Sequence, residues 1–224
     1  TLGNITAAHK AYDGNTTATI SAGVISDTVG SETLLISGSG SFDTKNVAND
    51  KTVTVSDVTT LTKTNGTGAW SNYNLTTTGA KTATANITPA AASISAPATS
   101  VIYNGQTQSQ GAAVLSGFVA GDDVQAMGLA SGRNAGSYAS SLSATGADVG
   151  NYTITYNNAA LTIDKRPASL SALGQTVVYN GQTQSLNGSQ GSGFVAGDAL
   201  TFGGLPSGRN VGKYTSAMTV SGAD

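Results

Sequence analysis

Few side chains in this 224-residue sequence could carry reactive chemistry, and they lie far apart. His9 is the only histidine and stands just before Tyr12-Asp13-Gly14. A catalytic base must touch a nucleophile and be oriented by a third group. His9 has no such company in sequence and no counterpart elsewhere in the chain, so it reads as a solvated loop residue. There is no cysteine, so neither a thiolate nucleophile nor the usual zinc ligand set is available. Gly121-Asp122-Asp123 and Ala147-Asp148 place carboxylates in loops, the hard oxygen donors that calcium takes. A calcium site uses roughly six to eight oxygens, however, and Asp123 is replaced by Ala199 in a second copy of the same segment. The carboxylates read better as turn caps that bond their own backbone. Ser37-Gly38-Ser39-Gly40-Ser41 lacks the Gly-Lys-Ser/Thr ending of a phosphate loop.

Two arginines and a tryptophan remain as candidate ligand contacts. Arg133 and Arg209 recur in Ser-Gly-Arg-Asn, with Lys45 in their place near the amino end. A recurring exposed cation suits a sulfated or sialylated glycan. Fixed beside a turn, it suits better a loop carbonyl or a carboxylate such as Asp122 in the same module. Trp70 has no repeated partner and is the one aromatic free to face a sugar. No catalytic, metal or cofactor-binding residue is expected. Asn-X-Ser/Thr begins at Asn4, Asn15, Asn65, Asn74, Asn86, Asn151 and Asn187, which leaves glycosylation open, as are Lys-to-Asn crosslinks.

These residues sit in a repeat. Residues 92 to 148 and 168 to 224 align at an offset of 76 without a gap and are identical at 31 of 57 positions. The shared blocks are Tyr103 to Ser109 with Tyr179 to Ser185, Ser116 to Asp122 with Ser192 to Asp198, and Ser131 to Asn134 with Ser207 to Asn210. A diverged relative precedes them: Tyr12-Asp13-Gly14 answers Tyr103-Asn104-Gly105, Lys45-Asn46 answers Arg133-Asn134, and Asn72-Tyr73 answers Asn151-Tyr152. Small modules in tandem follow from such a period, over 1–88, 89–164 and 165–224, with boundaries near Pro89 and Pro167, where a central strand cannot easily continue. The third copy ends at the counterpart of Asp148, so it is expected to lack its last strand, to show an open edge and to be the least well ordered.

Apolar residues alternate at period two, as in Tyr152, Ile154 and Tyr156 or Val53 and Val55, and no window shows a helical stripe. Turn signals such as Asn104-Gly105 recur every eight to twelve residues, which predicts antiparallel all-β modules, a sandwich or small open barrel. Charged residues make up 10% of the chain and the net charge is −2, against roughly 25% charged in ordinary domains. No field exists to draw nucleic acid or anionic lipid, and no stretch is apolar enough to span a bilayer. Cysteine-free, uncharged, Thr/Ser/Gly-rich modules fit exported bacterial surface proteins.

Tyr12-Asp13-Gly14-Asn15-Thr16-Thr17-Ala18 resembles the signature of YDG domains, and Thr145-Gly146-Ala147-Asp148-Val149-Gly150-Asn151-Tyr152-Thr153-Ile154 resembles the carboxyl-terminal strand of MBG domains. Both occur in arrays in large adhesins of the filamentous-haemagglutinin type. The resemblance implies a non-catalytic stalk or spacer at the bacterial surface or secreted, supporting adhesion or biofilm formation, with no functional residue to carry over. The expected fold is all-β: tandem immunoglobulin-like β-sandwich modules, with β-grasp-like sheets as the alternative, joined by tight Pro junctions into an extended rod. The expected partners are neighbouring modules of the same polypeptide, with host or matrix glycans under the alternative reading of a lectin-like module. The chain is expected to be monomeric and extracellular.

Overall fold

The computed structural model describes residues 2–25, 28–75 and 79–222. Among them every element but three single-turn 3₁₀ segments is a β-strand. The all-β architecture of many small sheets is consistent with β-sandwich modules. The chain packs as two compact units, residues 1–95 with 114–127 and 142–157, and residues 96–113 with 128–141 and 158–224.

In the first unit a seven-stranded sheet runs in the order Leu2–Ala7, Thr17–Ile25, Leu34–Phe42, Ala48–Val55, Lys81–Thr88, Lys10–Ala11, with Thr62–Asn65 paired to Leu34–Phe42. The first and last members of that path are separated in sequence only by Ala8 and His9, so the sheet wraps round until its two edges are held by one stretch of chain. The alternation legible in sequence is the alternation of burial. Leu34 and Ile36 point inward while Leu35 and Ser37 face solvent, and Val53 and Val55 are buried on either side of Thr54. Ile20, Ile36, Val53, Val58 and Ile87 are essentially inaccessible and form the centre of the core. Three further strands, Ala90–Ser95, Val114–Ser116 and Tyr152–Asn157, form a second sheet in this unit, and Ala92 and Tyr152 join the same apolar cluster.

The second unit holds the three-stranded sheet Gly136–Ala139, Ala160–Asp164, Thr99–Ile102 and several two-stranded ladders. Its core is smaller: Ala130, Leu161 and Ile163, flanked by Val101, Tyr103 and Tyr138. Among the described residues from 164 to 222 none is buried.

The expectation of antiparallel sheets needs one correction. Tyr152–Asn157 runs parallel to Ala90–Ser95, Ala160–Asp164 parallel to Thr99–Ile102, and Lys10–Ala11 parallel to Ile87 and Thr88. The first and second of these ladders share one register offset of 62, Ala90 facing Tyr152 and Thr99 facing Leu161. An opening strand beside a closing strand of the same module is necessarily non-local, and residues far apart in sequence can pair in either direction. Period two is the same for both, so alternation alone could not choose.

Candidate functional site

In the first unit a polar cluster forms where Tyr12, Lys45, Asp122, Asp148 and Tyr152 converge. The Tyr12 hydroxyl donates to Asp122 Oδ2 at 2.8 Å, and the Tyr152 hydroxyl donates to the same oxygen at 2.6 Å. Lys45 Nζ meets Asp122 Oδ1 at 2.8 Å and Asp148 Oδ1 at 3.0 Å and stands 5.7 Å from the Tyr12 ring centroid. The ring of Tyr152 packs edge-on against Tyr12 at 5.3 Å and Phe118 at 4.8 Å. Tyr12 comes from a turn in the amino-terminal module and Asp122 from a loop 110 residues on.

Local sequence builds both halves. Asn15 N–H donates to Asp13 Oδ1, an Asx turn that places Gly14 at φ 80°, a conformation glycine adopts without a Cβ penalty. A Cβ on Gly14 would lie 2.6 Å from Val119 Cγ1, so the turn accepts the Val119 side chain where only hydrogen stands. On the other side, Asp122 N–H closes onto Val119 O at 3.2 Å, and Val119 N–H donates to the Tyr152 hydroxyl at 2.8 Å. Tyr152 thus relays from the loop backbone to the loop carboxylate and fixes the direction of Asp122.

The electrostatics favour the charged pair. Burial would raise the Asp122 carboxyl, but hydrogen bonds from Lys45, Tyr152 and Tyr12 outweigh it and hold it below the usual carboxylate range. Lys45 is raised, first by its bond to Asp122. Tyr152 is pushed up to about 12 by burial and then by Asp122, and Tyr12 is raised for the same leading reason. These shifts keep the amine charged and the phenols neutral.

The arrangement recurs in the second unit. The Tyr103 hydroxyl donates to Asp198 Oδ1 at 2.8 Å, Gln106 N–H donates to Asn104 Oδ1, Gly105 has φ 79°, and a Cβ there would lie 2.6 Å from Val195 Cγ1. Asp198 N–H closes onto Val195 O at 3.3 Å. A cleft of about 420 Å³ adjoins this second lock, lined by Tyr103, Asn134, Arg166, Phe194 and Asp198 among others.

The candidate ligand contacts Arg133, Arg209 and Trp70 each bond the backbone of their own surroundings, Arg133 at the Gly105 turn itself. Arg133 Nε donates to Gly105 O at 3.0 Å and Arg209 Nε to Gly181 O at 2.9 Å, each bracing the Tyr-Asn-Gly turn of its own module. Beside them Tyr138 and Tyr214 donate to the carbonyls of Asn134 and Asn210, and each ring lies over Gly132 or Gly208, where a Cβ would collide with it. Trp70 is partly buried against the core, and its Nε1 reaches the carbonyls of Leu35 and Thr64 at 3.3 and 3.1 Å, stitching two paired strands. His9 accepts Asn86 N–H at its Nδ1. Asn151, a sequon residue, is 5% exposed and accepts Val47 N–H.

Sequence reasoning found the residue types of the lock but not the partnership. By sequence Asp122 reads as a turn cap or as an acceptor for an arginine of its own module. The cation that takes Asp122 is Lys45, 77 positions away. The available signal was that Tyr-Asx-Gly and Val-Ala-Gly-Asp recur together in the second and third copies.

Residues 1–84 match the family model of the YDG domain, and residues 92–162 match that of the MBG domain of the YGX type. No curated protein matches the chain.

Proposed function

We propose, from these YDG and MBG matches, that the chain is a non-catalytic spacer: a run of stalk modules of a bacterial surface or secreted adhesin that holds an adhesive region away from the cell. The observation that carries this reading is the repeated lock. The residues common to the modules brace turns, fill cores and fasten the turn of one module to the loop of the next. Tyr12 with Asp122 and Tyr103 with Asp198 do so at equivalent places. A chain that repeats its joints is built to keep successive modules in fixed order, and the tight Pro junctions at Pro89 and Pro167 support an extended rod. Such arrays also yield one module at a time under load.

The lectin-like alternative needs Arg133, Arg209 or Trp70 to face ligand. All three donate to backbone carbonyls, which favours the spacer. The deciding experiment is a glycan array probed with the purified chain. The spacer reading expects no saturable binding. Saturable binding lost in both Arg133→Ala and Arg209→Ala would overturn it.

A further inference from the structure

A third Tyr-Asx-Gly turn, Tyr179-Asn180-Gly181, is built like the first two. Gln182 N–H donates to Asn180 Oδ1 at 3.0 Å, Gly181 has φ 75°, and Arg209 braces the Gly181 carbonyl as Arg133 braces Gly105. What differs is the surroundings. Tyr12 is 4% exposed and Tyr179 57%. A Cβ on Gly14 or Gly105 would strike a valine of the following loop, whereas one on Gly181 meets nothing within 4 Å. Val178, the residue before the turn, is 88% exposed.

The loop that fills such a turn is a property of the module that carries it. In the amino-terminal module Val29 N–H donates to the Tyr73 hydroxyl at 2.9 Å, Tyr73 donates to the Glu32 carboxylate, and Glu32 N–H closes onto Val29 O at 3.2 Å. This is the Val119, Tyr152, Asp122 relay with Glu in place of Asp. A YDG-type and an MBG-type module therefore preform the same acceptor, a valine and a carboxylate set three residues apart.

We propose that Tyr179-Asn180-Gly181 is a docking turn for the Val-x-Gly-Asp loop of a further module of this kind, carried on the same polypeptide. The Tyr179 hydroxyl donates to the loop carboxylate, and the loop valine packs against the bare face of Gly181. This rests on the spacer reading and adds the atoms of the next joint. A tethered neighbour is favoured over a second molecule because one turn against one loop buries far less than a stable dimer interface needs, while a short tether supplies a high effective concentration.

Asp224 aligns with Asp148, so a copy of residues 149–224 joined directly after Asp224 continues the 76-residue register and places its copy of Asp198 at the spacing that separates Tyr103 from Asp198. Hydrogen exchange of the amides from Val178 to Gln182 is compared between this extended chain and a twin whose appended Asp198 copy carries Asp198→Ala. Both complete the third module equally, so they differ only at the lock. The proposal expects exchange about tenfold slower in the extended chain than in the twin, as losing one hydrogen bond to a charged group implies, and the same loss in extended Tyr179→Phe. Equal exchange in chain and twin would overturn it. Protection that instead grows with concentration in the unextended chain and vanishes in Glu32→Gln would assign the turn to a second copy and overturn it too. Either failure leaves the spacer reading standing if the glycan array stays blank.

Discussion

At the scale of single residues, Asp122 is the group on which most depends. It accepts from two tyrosines and faces an ammonium, and its side chain is 4% exposed. Asp122→Asn should cost about 2 kcal/mol, since the hydrogen bonds lost are to a charged group, and thermal or denaturant unfolding would read it. Tyr12→Phe removes one of the two hydroxyl donors to this carboxylate and should cost about 1.5 kcal/mol. The pH dependence follows from the directions of the shifts. Asp122 is lowered from its ordinary value of 3.8, so its contribution is present above that value and is lost as pH falls through the folded one. Tyr152, raised from 10.0, contributes below 10.0 and is lost as pH rises toward about 12. Melting temperature should therefore be flat through neutrality and fall on both sides, and Asp122→Asn should flatten the acid limb. An acid limb unchanged by that substitution would show that other carboxylates carry it. The aromatic and carboxylate residues of this cluster were visible in sequence as repeated positions. Repetition shows which residues matter to a module, not which partner each meets, and a bond spanning 110 positions has no local signature.

At the scale of elements, the three Tyr-Asx-Gly turns make an internal control. Alanine at Gly14, Gly105 or Gly181 meets the same left-handed backbone strain, about 1 to 2 kcal/mol. At Gly14 and Gly105 it also meets a valine 2.6 Å away, whereas Gly181 is open. Gly14→Ala and Gly105→Ala should each destabilise more than Gly181→Ala, and equal losses would mean that the valines move aside freely. In the core, Ile36→Ala should cost about 2 to 5 kcal/mol as a buried large-to-small change, because Ile36 is 1% exposed in the centre of the first sheet. Strand positions and inward faces were legible, since burial follows the period-two pattern at Leu34 to Leu35 to Ile36. Strand direction was not. The parallel ladder of Ala90–Ser95 with Tyr152–Asn157 joins the opening of a module to its close, and only the fold brings them together. The role of Trp70 was hidden for a similar reason: an unrepeated tryptophan in a Gly-rich stretch looks free until the carbonyls of Leu35 and Thr64 are seen to meet its Nε1.

At the scale of the whole molecule, repeats in sequence and units of packing are different partitions. Residues 114–127 and 142–157 pack with residues 1–95, and the lock supplies a reason: the loop at Asp122 is completed by the turn at Tyr12. In the proposed spacer, such joints hold successive modules in an extended array. Small-angle scattering from the purified chain tests it most directly. A compact globule of this length would have a radius of gyration of about 17 Å. The proposed spacer gives a value well above that, with the scattering of an elongated particle, whereas a value near 17 Å would rule out an extended array.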